Sequence, residues 1–174
     1  CVLNGDKNSE IFLSEIIGAQ PIKGRHMNME SLYEYGSRAG FWRLHKLFQE
    51  KKVPITIFGV GMALKKNPEI CKAIIEADYE VASHGWRWID YQNIKKSEEK
   101  KHMQLAIKAH TKIFGKRPNG WYTGRCSPNT RDLVMEDGGF LYDSDSYSDD
   151  LPYWETRNKK KQLIIPYTLD NNDM

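Results

Sequence analysis

With 174 residues the chain can enclose one sizeable core, and a formal charge of only +3 leaves no strong basic field for nucleic acid. No apolar run approaches the ~20 residues needed to cross a bilayer. The three cysteines, Cys1, Cys71 and Cys126, are scattered with no CxxC pair, which argues against a disulfide scaffold and a structural zinc site and suits a reducing cytosol. The opening CVLNGDKNSE lacks the charged-then-apolar layout of a signal peptide, so a cytoplasmic chain is expected.

The predicted elements alternate between helix and strand. SEIFLSEIIGA (9–19) has apolar residues at helical spacing. MNMESLYEYGSRAGFWRLHKLFQEKK (27–52) reads as one long helix or two short ones, because Gly36 and Gly40 weaken its middle. Phe41, Leu44, Leu47 and Phe48 share its apolar face. VPITIFGV (53–60) is a continuous apolar run, predicted as a buried strand. In NPEICKAIIEAD (67–78), Asn67 is placed to cap a helix with Pro68 at its first position. YEVASH (79–84) is a short strand, and SEEKKHMQLAIKAHTKIFG (97–115) an amphipathic helix closed by Gly115. GWYTGR (120–125) is strand-like. SPNTRDLVMEDGG (127–139) is a helix capped by Ser127 and ended by Gly138. FLYDSDSY (140–147) and QLIIPYTLD (162–170) are two further strands, and the run Lys159 to Lys161 between them is read as a solvated loop.

This rhythm is that of α/β proteins with a mostly parallel sheet or barrel, in which ligands sit at the carboxyl ends of the strands. His84 ends YEVAS, Arg125 ends GWYT, Asp143 and Asp145 end FLY, and Asp170 ends LIIPYTL. Polar side chains from separate strands thus collect at one rim, and each alone would read as a cap or a loop residue. The segment SHGWRWIDY (83–91) adds Trp86, Arg87, Trp88 and Asp90, with an Arg87–Asp90 ion pair as one expectation. Asp149 and Asp150 read equally well as turn formers. Cys126 is a candidate nucleophile without a recognisable partner set.

Long blocks carry a resemblance: MESLYEYGSRAGFWRL, TIFGV, SHGWRWIDYQ, RPNGWYTGR, SPNTRDLVMEDGGFLYDSDSYSDDLPYW and IPYTLDNNDM, with Asn4, Gly5 and Asp6 near the start. Over nearly its whole length the chain resembles the polysaccharide deacetylase superfamily (NodB-like), and within it the branch of metal-independent allantoinases of PuuE type. The resemblance implies a distorted (β/α) barrel, here a single partial catalytic domain over 1–174. Relatives carry an acidic segment upstream and a histidine-bearing strand downstream, so the first and last parts of the barrel are expected to lie outside these residues. It further implies a cytoplasmic homotetramer of purine degradation.

Metal-dependent members hold a divalent ion on a His-(Ser/Thr)-x-x-His segment beside an aspartate. Here His84 matches the first ligand and Trp88 stands at the second, where an indole N–H offers no lone pair. No metal and no other cofactor is therefore expected. Opening the hydantoin ring of allantoin requires a base, an oxyanion donor and planar polar groups for the amides. The expected catalytic set is His84, Arg125 and Asp145, with Trp86, Trp88, Trp121, Tyr122 and Asp143 against the substrate. The alternatives are an N-deacetylase of polysaccharide or peptidoglycan and an inactive truncated subunit.

Overall fold

The computed structural model describes residues 20–168 and 170. The expected helix over 9–19 and the Asn4-Gly5-Asp6 segment lie outside the described residues. The chain divides into two compact units, residues 1–53 and 54–174.

In the first unit, α1 (Met27–Tyr35) starts where the His26 imidazole accepts the Met29 amide at 3.4 Å. The weak middle foreseen at the two glycines is a π-helical turn, Gly36–Gly40, and the chain continues without a break into α2 (Phe41–Lys51). A π turn fits the loss of helical preference at glycine, since one wider turn absorbs it without ending the helix. Lys52 in left-handed conformation then stops α2.

The second unit is built on six strands in the order β1-β2-β3-β4-β6-β5. They are β1 (Thr56–Gly59), β2 (Glu80–Ser83), β3 (Gly120–Trp121), β4 (Tyr142–Asp143), β5 (Tyr153–Arg157) and β6 (Lys160–Ile164). All neighbours are parallel except β5 and β6, which form an antiparallel hairpin. The parallel sheet with intervening helices is the expected α/β class. Two details differ from expectation. β1 is an edge strand with only Gly59 buried and Phe58 37% exposed, because no described strand covers its outer side. The lysine run is not a loop: Asn158 and Lys159 form the positive-φ hairpin turn, and Lys160 and Lys161 open β6. Lys160 Nζ donates to the carbonyls of Met135 and Glu136, where a cation suits the end of a helix. β5 was not foreseen, nor was the short helix α3 (Gly61–Lys66).

The other helices match in place and differ at their ends. In α4 (Pro68–Glu76) the Asn67 side chain does not cap but donates back to the Ala63 carbonyl. α5 (Lys96–Phe114) ends at left-handed Gly115, and α6 (Thr130–Asp137) at left-handed Gly138. Side chains alternate across the sheet, so Val81, Ser83, Trp121, Asp143 and Ile164 share one face. On that face Trp121 packs with Met103 and Ala106 of α5, Leu133 and Val134 of α6, and Phe140. Among the described residues no helix is long and apolar enough to cross a membrane.

Candidate active site

His84 leaves the end of β2, and its placement is set by backbone bonds. Its amide donates to the Gly59 carbonyl at 2.9 Å. The first amides of α3 hold the next two residues, with Gly61 N to Gly85 O at 2.9 Å and Met62 N to Trp86 O at 3.1 Å. Gly85 turns at φ 71°, a conformation open to glycine, which swings the chain away after the histidine.

The His84 ring is held on two sides by one residue. Its Nδ1 lies 2.7 Å from the Tyr122 carbonyl, and its ring stacks on the Tyr122 ring at 5.3 Å between centroids. A carbonyl only accepts, so Nδ1 carries the proton and the neutral ring has its lone pair on Nε2. Burial pushes the imidazole below its ordinary value, the Tyr122 carbonyl and the Asp145 charge pull it back up, and Arg125 pushes it down again. The group is therefore a neutral base at physiological pH.

Aromatic rings extend from this pair. Phe58 lies 5.0 Å from Tyr122, and Tyr167, beyond the end of β6, stacks on Tyr122 at 4.9 Å and 5°. The Tyr122 hydroxyl meets the Tyr147 hydroxyl at 3.1 Å, and burial raises the Tyr122 phenol well above its usual range.

Arg125 sits on the turn after β3. Its guanidinium lies 4.3 Å from the centre of the Trp88 ring, a cation–π contact, and its carbonyl accepts the Tyr91 amide at 3.1 Å. Trp88 is 38% exposed, so cation and indole stand together at the rim.

Asp145 faces this turn as an acceptor. Its carboxylate takes the amide of Thr123 at 3.0 Å, the Thr123 hydroxyl at 2.9 Å and the amide of Gly124 at 2.8 Å. Three donors engage its oxygens, so its role in this geometry is to shape the turn carrying Arg125 and to lend negative charge near His84.

The remaining expected site residues sit elsewhere. Trp121 is 3% exposed in the core and offers no surface to a ligand, because its place on β3 points it toward the helices. Asp143 points to the same face and is fully buried, where it meets Arg131 of α6 at 3.3 Å rather than a substrate. Burial pushes the Asp143 carboxyl up to about 7, against the pull of Arg131. Trp86 packs against the core cluster and under Gly61, with the Lys65 ammonium 5.5 Å from its ring centre. Asp90 accepts the Gln92 amide at 2.8 Å, a local turn bond. Cys126 is exposed, but partial burial of its thiol and the Asp145 charge push it up, away from nucleophile duty.

Sequence reasoning missed Tyr147, Tyr167, Thr123 and Arg131. Arg131 carried a signal: a cation in the first turn of a helix opposes the helix dipole, which points to a tertiary partner.

Among the described residues, the side chains around His84 do not make a donor set for a divalent ion. His84 Nε2 is one ligand atom, Trp88 cannot be a second, and the Asp145 oxygens are engaged by three donors. Among the described residues no three His, Cys, Asp or Glu side chains converge to hold a metal.

Residues 28–137 match the polysaccharide deacetylase family. A crystal structure of a Pseudomonas aeruginosa protein described as a polysaccharide deacetylase is 60% identical, with a TM-score of 0.94, covering 99% of this chain and 59% of its own. The crystal structure of PuuE allantoinase is 57% identical, also with a TM-score of 0.94, over 99% of this chain and 58% of its own. A Schizosaccharomyces pombe protein named as a polysaccharide deacetylase is 41% identical over 192 residues, 99% of this chain and 60% of its own. The chain thus spans under two thirds of the length of these relatives. It belongs to the polysaccharide deacetylase family.

Proposed function

We propose that the protein carrying this chain hydrolyses a non-peptide C–N bond, opening the hydantoin ring of allantoin to allantoate in purine degradation. The observation that carries the reading is the His84 ring, fixed through Nδ1 so that Nε2 is the basic atom at a rim shared with Arg125. His84 Nε2 takes a proton from the attacking water, and the resulting imidazolium can return it to the leaving nitrogen. The water oxygen adds to the amide carbonyl, and the bond to the ring nitrogen breaks as the tetrahedral oxyanion collapses. Arg125, steadied on Trp88, is the cation available to that oxyanion. Exposed Tyr147 and Trp88 supply flat walls for a planar heterocycle. The 57% identity to a PuuE allantoinase supports the substrate.

A second reading, N-deacetylation of a polysaccharide, is favoured by the descriptions of the other two relatives. It uses the same base and the same cation on an acetamide. One assay separates them: the complete protein, with and without chelator, on allantoin and on an N-acetylated oligosaccharide. Ring opening of allantoin that survives the chelator is the expected result. Acetate release from the oligosaccharide with allantoin untouched would replace the first reading with the second.

A further inference from the structure

Arg131 has no part in the chemistry above, yet its contacts lead to the cation that does. We propose that Arg131 is a positioning residue that sets the Arg125 guanidinium through Asp145, an inference that rests on reading this rim as the active site. β4 ends at Asp143, so no strand pairing holds Asp145 itself. Side chains hold it instead. Its amide donates to Asp143 Oδ1 at 2.8 Å, and its carbonyl accepts from an Arg131 terminal nitrogen at 2.9 Å. Arg131 Nε lies 3.3 Å from Asp143 Oδ2, and its other terminal nitrogen lies 3.7 Å from Glu155 of β5. One nearly buried guanidinium therefore ties α6, β4 and β5 to the backbone of Asp145.

From Asp145 the path runs outward. Its carboxylate engages the amides of Thr123 and Gly124, the two residues before Arg125. Gly124 adopts φ 66°, so this turn has an unusual shape that three bonds to one carboxylate maintain. A lysine at 131 keeps the charge but lacks the planar fork that serves Asp143 and the Asp145 carbonyl together. Loss of the fork frees Asp145 to rotate and lets the turn and Arg125 move off Trp88. Misplacement by about 1 Å at a reacting group costs about 10²-fold in rate.

The test uses the complete protein labelled with 5-fluorotryptophan and read by fluorine NMR. Trp88→Phe assigns the Trp88 resonance, and Arg125→Ala marks its position without the cation. Arg131→Lys and Arg131→Met are expected to move that resonance toward the Arg125→Ala position, the methionine variant further. The other tryptophan resonances stay dispersed, reporting an intact fold. On allantoin, kcat is expected to fall about 10²-fold. If Arg131→Met fails to fold, Arg131→Lys decides alone. A Trp88 resonance that holds its wild-type position in a folded variant overturns the proposal, whatever the loss in melting temperature. The spectroscopic readout needs no substrate. Wild-type inactivity on both candidate substrates would therefore remove the functional reading while a moving Trp88 resonance still upheld the link from Arg131 to Arg125.

Discussion

Tyr122 grips His84 twice, with its carbonyl 2.7 Å from Nδ1 and its ring stacked on the imidazole at 5.3 Å. The first contact selects the tautomer and the second fixes the ring plane. Because β3 ends at Trp121, one residue earlier, the strand places both contacts at once. The inward-pointing Trp121 anchors the strand, and the next side chain necessarily emerges on the opposite face.

In the complete protein, His84→Ala should lower kcat by about 10²–10⁴-fold while leaving the melting temperature nearly unchanged. Its imidazole is depressed by burial, so the acid limb of the wild-type pH–rate profile should fall below the ordinary histidine value of 6.5. Steady-state kinetics between pH 4 and 9 check both points. A destabilised variant with near-normal turnover would make His84 a packing residue.

Asp143 gives a pH dependence of stability with a definite sign. Its folded value is raised from 3.8 to about 7, so between those limits the folded state holds a proton that the unfolded state has lost. Its contribution is fully present below the unfolded value and disappears as pH rises through about 7. The half-buried His84 and His102 and the buried His110 act oppositely, since all are depressed and favour folding above 6.5. Comparing wild type with Asp143→Asn by urea titration isolates the carboxyl. The wild type should gain relative to the variant as pH is lowered from about 7 toward 4, and a constant difference would refute the raised value.

Glu99 of α5 is 3% exposed and accepts from the hydroxyls of Ser127, at 2.6 Å, and Thr130. Ser127 Oγ in turn accepts the Asn129 amide at 2.9 Å, so the start of α6 rests on one buried carboxylate. Glu99→Gln keeps the shape but turns one acceptor into a donor facing hydroxyls. It should cost about 1–3 kcal/mol, measured by denaturant unfolding. A neutral effect would mean that water replaces the lost acceptor.

At Gly120 a β-carbon would run into the Tyr142 ring, whose hydroxyl reaches across β3 to Glu80 at 3.2 Å. Gly120→Ala should therefore destabilise by about 1–3 kcal/mol through overpacking. The double variant Gly120→Ala/Tyr142→Ala, which removes the ring, should recover part of that loss relative to Tyr142→Ala alone. Equal losses in the two backgrounds would locate the effect in the glycine backbone.

The sequence made the helices and the strand rhythm legible, because period and capping residues lie within a few positions of one another. Pro68, Gly115 and Gly138 each mark a boundary close to the observed one. The rim position of His84 and Arg125 followed from the same rhythm. What stayed hidden was the direction of each side chain. β3 and β4 have two paired residues each, too few for an alternating pattern to reveal that Trp121 and Asp143 face the helices while Tyr122 faces the rim. β5 was hidden because YWETR has no apolar alternation, being an edge strand with exposed Trp154. The Arg131 contacts span α6, β4 and β5, and such long-range pairing leaves no local trace.

The glycine beneath the Tyr142 ring also acts as an alignment mark. β3 meets its neighbours through only a few paired residues, so hydrogen bonds alone give it a poorly determined register. A shift by one residue would bring Asn119 or Trp121 beneath a ring that tolerates no β-carbon there. The same shift would move the strand end by about 3.3 Å and carry Tyr122 to the helix side, taking both grips off His84. Lengthening or shortening the β3 connections is therefore safe only when the glycine still ends up under the tyrosine.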